Sequence, residues 1–177
     1  AQFASFRRLI DQGIAALEAR DTGAATECFA AAHDLAVRFR LGDDALCGTL
    51  LNLGMAQRLA GHYEGALASF RSALAVPGIS PAQRAALWNH IGVLYGERAR
   101  YRTAAACYIR AYRLARTSGG DADLLAETAG NAVDAYLHLG FSEKAVRWAA
   151  RAAWHARRAA PWRRQGVALQ VVAACLA

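Results

Sequence analysis

Residues 88–111 read WNHIGVLYGERARYRTAAACYIRA, and residues 50–73, LLNLGMAQRLAGHYEGALASFRSA, follow the same plan 38 positions earlier. Leu53-Gly54 answers Ile91-Gly92, Tyr63 answers Tyr101, Ala66 answers Ala104, Phe70 answers Tyr108 and Ala73 answers Ala111. Small and large residues therefore recur at fixed offsets. A helix with that pattern approaches its neighbour closely at one point and fills a gap at the next. Self-similarity at a fixed period is the mark of stacked helix pairs, a solenoid, and such folds present extended binding surfaces.

Two further copies of the pattern flank these, so that repeats begin near Phe6, Cys47, Ala85 and Ala126, with spacings of 41, 38 and 41 residues. The expected organisation is one all-α domain over 1–177, a right-handed α-solenoid with repeats near 6–46, 47–84, 85–125 and 126–160. Ala160-Pro161-Trp162 opens a terminal helix over 161–177, bringing the expected count to nine helices. Turns inside the pairs fall at Arg20-Asp21-Thr22-Gly23, Ala60-Gly61-His62, Ala99-Arg100 and Leu139-Gly140-Phe141-Ser142. Asp21, Thr22 and Ser142 are candidate caps for the second helices. Leu41-Gly42-Asp43-Asp44, the stretch from Val76 to Pro81, and Thr117-Ser118-Gly119-Gly120-Asp121 link one pair to the next. Pro81 after Ser80 suits a first helical position, where the missing N–H costs nothing.

Composition agrees. The 177 residues are 55% hydrophobic with only three Pro, and no alternating apolar run suggests a strand. No apolar stretch approaches the roughly 20 residues that span a bilayer, and no secretory signal is evident; a cytoplasmic setting is expected. Cys28, Cys47, Cys107 and Cys175 lie far apart with no C-x-x-C pair, so they read as small buried hydrophobes rather than ligands or disulfides. No metal or cofactor is expected. Nor is catalysis: Gly-rich phosphate loops, H-E-x-x-H and G-x-S-x-G are all missing, and the five His occupy unrelated positions.

The pattern resembles the tetratricopeptide repeat. Trp88, Ile91, Gly92, Tyr95, Tyr101, Ala104, Tyr108 and Ala111 carry the resemblance in one copy, and Leu50, Leu53, Gly54, Gly61, Tyr63, Ala66, Phe70, Ala73 and Leu74 in another. The first copy keeps Leu9, Gly13, Ala16, Ala25, Phe29 and Ala32. The fourth keeps Tyr136, Gly140, Ala145 and Ala152 but has Val133 in place of Gly and Ala149 in place of the aromatic, with Trp148 one residue earlier to fill that volume. Against the usual period of 34, the longer spacing resembles the repeats of kinesin light chains, Rap-type peptide-sensing regulators and the sensor regions of large bacterial transcription activators. It implies longer second helices or longer linkers.

The resemblance further implies that the first helices line a concave groove that binds proteins or peptides. Projected onto this chain, the groove takes Ile10, Ile14 and Leu17 from the first repeat and Leu51, Asn52, Met55, Arg58 and Leu59 from the second. The third supplies Asn89, His90, Val93 and Glu97, and the fourth Asn131, Asp134 and His138. Core packing against the next helix is the competing reading for each of them, and the amides of Asn52 and Asn131 suit either a peptide backbone or a bridge between helices. Chaperone-tail binders of this family hold a carboxylate with cations at the sites occupied here by Ile10, Ile14, Asn52, Asn89 and Val93. The cations are missing, so an apolar or amphipathic segment is the expected ligand. The alternatives are an effector-sensing fragment of a larger bacterial transcription regulator, and nucleic-acid binding through a convex Arg-rich face.

The net charge of +7 belongs to the second half of the chain. Arg102, Arg110, Arg113, Arg116, Arg147, Arg151, Arg157 and Arg158 fall on second helices, and Arg163 and Arg164 extend the set. Such a face suits an acidic partner, or is simply a solvated exterior. Nucleic acid is not the expected partner, because no recognition motif or basic arm accompanies the arginines. The uncharged run from Val167 to Ala177 lacks the polar outer face of a capping helix, which points to a homodimer seam or to further repeats.

Overall fold

The structure, a computed structural model, describes residues 2–159. The expected terminal helix over 161–177, with Arg163, Arg164, Cys175 and the proposed dimer seam, lies outside the described residues. Among those described there are eight α-helices and no strand. The helices gather into two compact units that meet in sequence at Ser80–Pro81. The first contains α1 (Gln2–Glu18), α2 (Thr22–Arg38), α3 (Asp43–Leu59) and α4 (Tyr63–Ala75). The second contains α5 (Pro81–Glu97), α6 (Tyr101–Thr117), α7 (Ala122–His138) and α8 (Ser142–Ala156). Each pair starts four residues ahead of the expected repeat start, at Gln2, Asp43, Pro81 and Ala122. The first recognisable motif position therefore sits about one turn inside its helix.

All four intra-pair turns share one geometry. Arg20, Gly61, Ala99 and Gly140 adopt positive φ of 61°, 78°, 55° and 72°. The following N–H of Asp21, His62, Arg100 and Phe141 donates to the carbonyls of Ala16, Gln57, Tyr95 and Tyr136 at 2.8–2.9 Å. This is the double-bonded C-terminal cap that satisfies orphan carbonyls. Glycine relieves the strain at two of the four; at Arg20 and Ala99 a Cβ is held in the left-handed region, a cost of about 1–2 kcal/mol each that surrounding packing must offset. Asp21 caps α2 by accepting from the Ala24 N–H at 2.9 Å. Thr22 and Ser142 are not caps: they are the first residues of α2 and α8, where Asp21 and Phe141 occupy the cap positions, Phe141 with no side-chain bond. Asp121, read from sequence only as linker, does cap α7.

The packing code explains the repeat. A Cβ built on Gly13 would lie 2.6 Å from Phe29, one on Gly54 2.5 Å from Phe70, and one on Gly92 2.5 Å from Tyr108. Each glycine thus admits the ring of an aromatic sixteen positions later. Phe29 and Phe70 are fully buried in the first unit, each contributing about 1.5–3 kcal/mol by burial. In the fourth pair the sizes are exchanged: Val133 and Ala149 occupy the Gly and aromatic positions and pack together with Ala145. Val133 and Trp148, both packed in that cluster, share the space beside Ala149. Trp148 packs against that cluster and also meets Tyr112 edge-on, ring centroids 5.0 Å apart.

The long period has two local origins. The first helices all run 17 residues, and α2 and α6 match them at 17. In the second pair α4 has only 13 residues, and the stretch from Val76 to Ser80 lengthens the repeat instead, with Val76 and Ile79 buried.

Candidate binding face and pocket

In the first unit, α1 and α3 offer a mostly apolar set. Ile14 is 45% and Leu59 52% exposed, while Leu51, Asn52, Met55 and Arg58 are half-buried. Ile10 and Leu17 instead pack against the cluster of Ala25, Phe29 and Ala56. For those two, core packing describes the position better than an open groove. Ser69 donates to Gln57 at 2.7 Å and His33 meets Thr49 at 3.1 Å, hydrogen bonds that fasten the unit's helices to one another.

In the second unit α5, α6 and α7 enclose a pocket of about 300 Å³. Five of the residues projected from sequence line it together: Val93, Glu97, Asn131, Asp134 and His138. They come together because helical residues three or four apart share a face: Val93 and Glu97 on α5, Asn131, Asp134 and His138 on α7. Gly96, Tyr101, Ala104, Tyr108 and Ala135 complete the wall. The Tyr101 and His138 rings stack, centroids 4.2 Å apart and 6° from parallel. Glu97, Asp134 and His138 are exposed around it, while Val93 packs on the buried cluster that includes Tyr108. The result is an apolar, aromatic-walled recess with two carboxylates and an imidazole at its edge.

Asn89 departs from its expected placement. It is 1% exposed, its amide donates to Glu127 at 2.9 Å, and its oxygen accepts from Asn131 at 3.0 Å. It bridges α5 to α7 and fixes Asn131 on the pocket wall rather than offering itself to a ligand. His90 is half-buried on α5 and does not line the pocket. Tyr101, Ala104 and Tyr108 are the pocket residues that sequence reasoning assigned only to packing. The signal was present, since Tyr101 opens the second helix of a pair, beside the end of a first helix.

Among the described residues no group of three or more His, Cys, Asp or Glu is placed to hold a metal ion, no disulfide joins Cys28, Cys47 or Cys107, and no helix is long and apolar enough to cross a membrane. Burial pushes the Cys107 thiol up to about 11, against the pull of Arg110, so it stays protonated and unreactive near neutrality.

No family model matches the sequence, and no curated protein matches it. Solved structures do share its fold. Apo RapI is similar with a TM-score of 0.78 at 14% identity, over 88% of this chain. This chain spans only 57% of the length of RapI. A putative kinesin light chain from Podosopora anserina, built of nearly identical TPR-like repeats, is similar at TM-score 0.76 and 11% identity, over 95% of this chain and 84% of that one. BtubC from P. vanneervenii gives 0.67 at 16% identity, over 98% and 81%. The helix pairs described above are tetratricopeptide-like.

Proposed function

We propose that the protein is a non-catalytic scaffold that binds a protein or peptide segment on the faces of its first helices. The observation that carries this reading is the pocket of the second unit, where five residues projected independently from the repeat frame meet around one recess. The recess has an aromatic wall for an apolar side chain and carboxylates for a polar or basic one. The exposed Ile14 and Leu59 of the first unit, with half-buried Met55, suit the apolar side of an amphipathic segment. A cytoplasmic setting goes with this reading.

The test is selection of ligands from a displayed random-peptide library on the whole chain, followed by fluorescence-anisotropy titration of the selected peptides. Asp134→Lys or Met55→Glu is expected to weaken their binding at least about tenfold, equivalent to about 1.4 kcal/mol, with unchanged circular dichroism. Undiminished affinity in both variants would remove the site from the first-helix faces. The pocket volume stands at the lower end of small-molecule sites, which supports effector sensing within a larger regulator as a second reading. Selection that yields no peptide, together with saturable binding of a small molecule lost in Asp134→Lys, would favour it.

A further inference from the structure

A second groove lies on the second helices of the same unit, between α6 and α8, with a volume of about 340 Å³. Its α6 side carries Arg113 and Arg116, its α8 side Lys144, Arg147 and Arg151, and Tyr112 and Trp148 lie between them. Among the described residues that line it there is no carboxylate. Glu143 reaches Arg147 only at 3.9 Å, with both side chains largely in solvent, a pair of little energetic weight.

This arrangement is not what helix stability alone would select. Lys144, Arg147 and Arg151 fall three and four positions apart on one helix, where like charges repel. Lys144 also stands in the first turn of α8, at the positive end of the helix dipole. A solvated exterior tuned for stability would interleave acids here. Part of the cationic set is held in place: Arg151 lies over the Trp148 ring at 4.8 Å and donates to the Arg147 carbonyl at 3.3 Å.

We infer that this groove docks an acidic polypeptide segment, carboxylates on the two cationic rims and an apolar side chain between them. Arginine forks match carboxylates two bonds at a time. The aromatics decide against a single nucleic-acid strand, which needs open ring faces for base stacking. Arg151 covers one face of Trp148, and Tyr112, perpendicular to it and only 7% exposed, has its hydroxyl at 3.0 Å from His155 Nε2. A recess of this volume between two helices is also unlike the flat surface a bilayer requires. The inference stands apart from the first-helix pocket, which lies among α5, α6 and α7 and takes its charge from carboxylates.

The test uses the whole chain and a fluorescein-labelled synthetic peptide of alternating Glu and Leu, beside oligo-dT, a DNA duplex, and vesicles of phosphatidylcholine with phosphatidylserine. At low salt the peptide is expected to bind, and binding should fall at least tenfold in Arg113→Glu/Arg147→Glu. It should stay within twofold in Arg102→Glu, an exposed arginine on α6 outside the groove, and weaken when Ser replaces the peptide's Leu. If the double variant melts early, Arg116→Glu alone serves and should lose affinity in the same direction. No peptide binding, equal losses in Arg102→Glu, or tighter and equally groove-dependent binding of oligo-dT, duplex or vesicles would each overturn the inference.

Discussion

At the scale of single residues, the fold rests on where one Cβ is withheld. Gly54 leaves space for Phe70, and Gly13 and Gly92 do the same for Phe29 and Tyr108. The fourth pair shows that the space can be filled from the opposite side, by Val133 facing Ala149. This exchange predicts a compensating pair. Phe70→Ala alone should destabilise by about 3–5 kcal/mol through the cavity it leaves, and Gly54→Val alone by about 1–3 kcal/mol through overpacking. The double variant should cost clearly less than their sum, read from urea midpoints in a double-mutant cycle. Additive losses would mean that the fourth pair depends on something other than volume exchange.

His155 supplies a second residue-scale prediction. Burial, with Arg158 adding to it, lowers the imidazole below its ordinary value. The unfolded imidazole then binds its proton at higher pH than the folded one. Its contribution to stability is complete above the unfolded value of about 6.5 and shrinks as pH falls below that toward the folded value. Thermal melts between pH 7.5 and 5 should therefore lose stability on acidification, and His155→Gln should show a smaller loss over the same range. An unchanged pH slope in the variant would contradict this account.

At the scale of elements, helix pairs and turns were legible in the sequence, because small-large spacing and turn residues act locally. Arg20 and Ala99 show where that legibility ends: both occupy the same left-handed turn position as Gly61 and Gly140, and only the repeat frame exposes them. The Ser142 cap failed because the turn places Phe141 at the cap and Ser142 one position inside the helix. Asn89 failed for a different reason. Sequence projection gives a residue's face but not its depth, and a contact from α7 claims the Asn89 amide before any ligand does. Asn89→Ala, which leaves Asn131 and Glu127 without this partner, should cost about 1–3 kcal/mol in chemical denaturation. A change below about 0.5 kcal/mol would deny the bridge a structural role.

At the scale of the whole molecule, opposite chemistries occupy different helices of the second unit. Carboxylates edge the α5–α7 pocket, and cations line the α6–α8 groove. The excess positive charge of the second half was plain from residue counts, but its concentration into one groove was not. That depends on which arginines face each other across α6 and α8, a relation between elements that no local pattern encodes. The apolar first-helix residues of the first unit and the acidic pocket of the second divide the proposed binding work into two chemically distinct parts.

The most direct test of the central proposal is chemical-shift mapping with a peptide selected on the whole chain. The account predicts that perturbed amides cluster at Val93, Glu97, Tyr101, Asn131, Asp134 and His138. Perturbations confined to α6 and α8, with these residues unmoved, would contradict it.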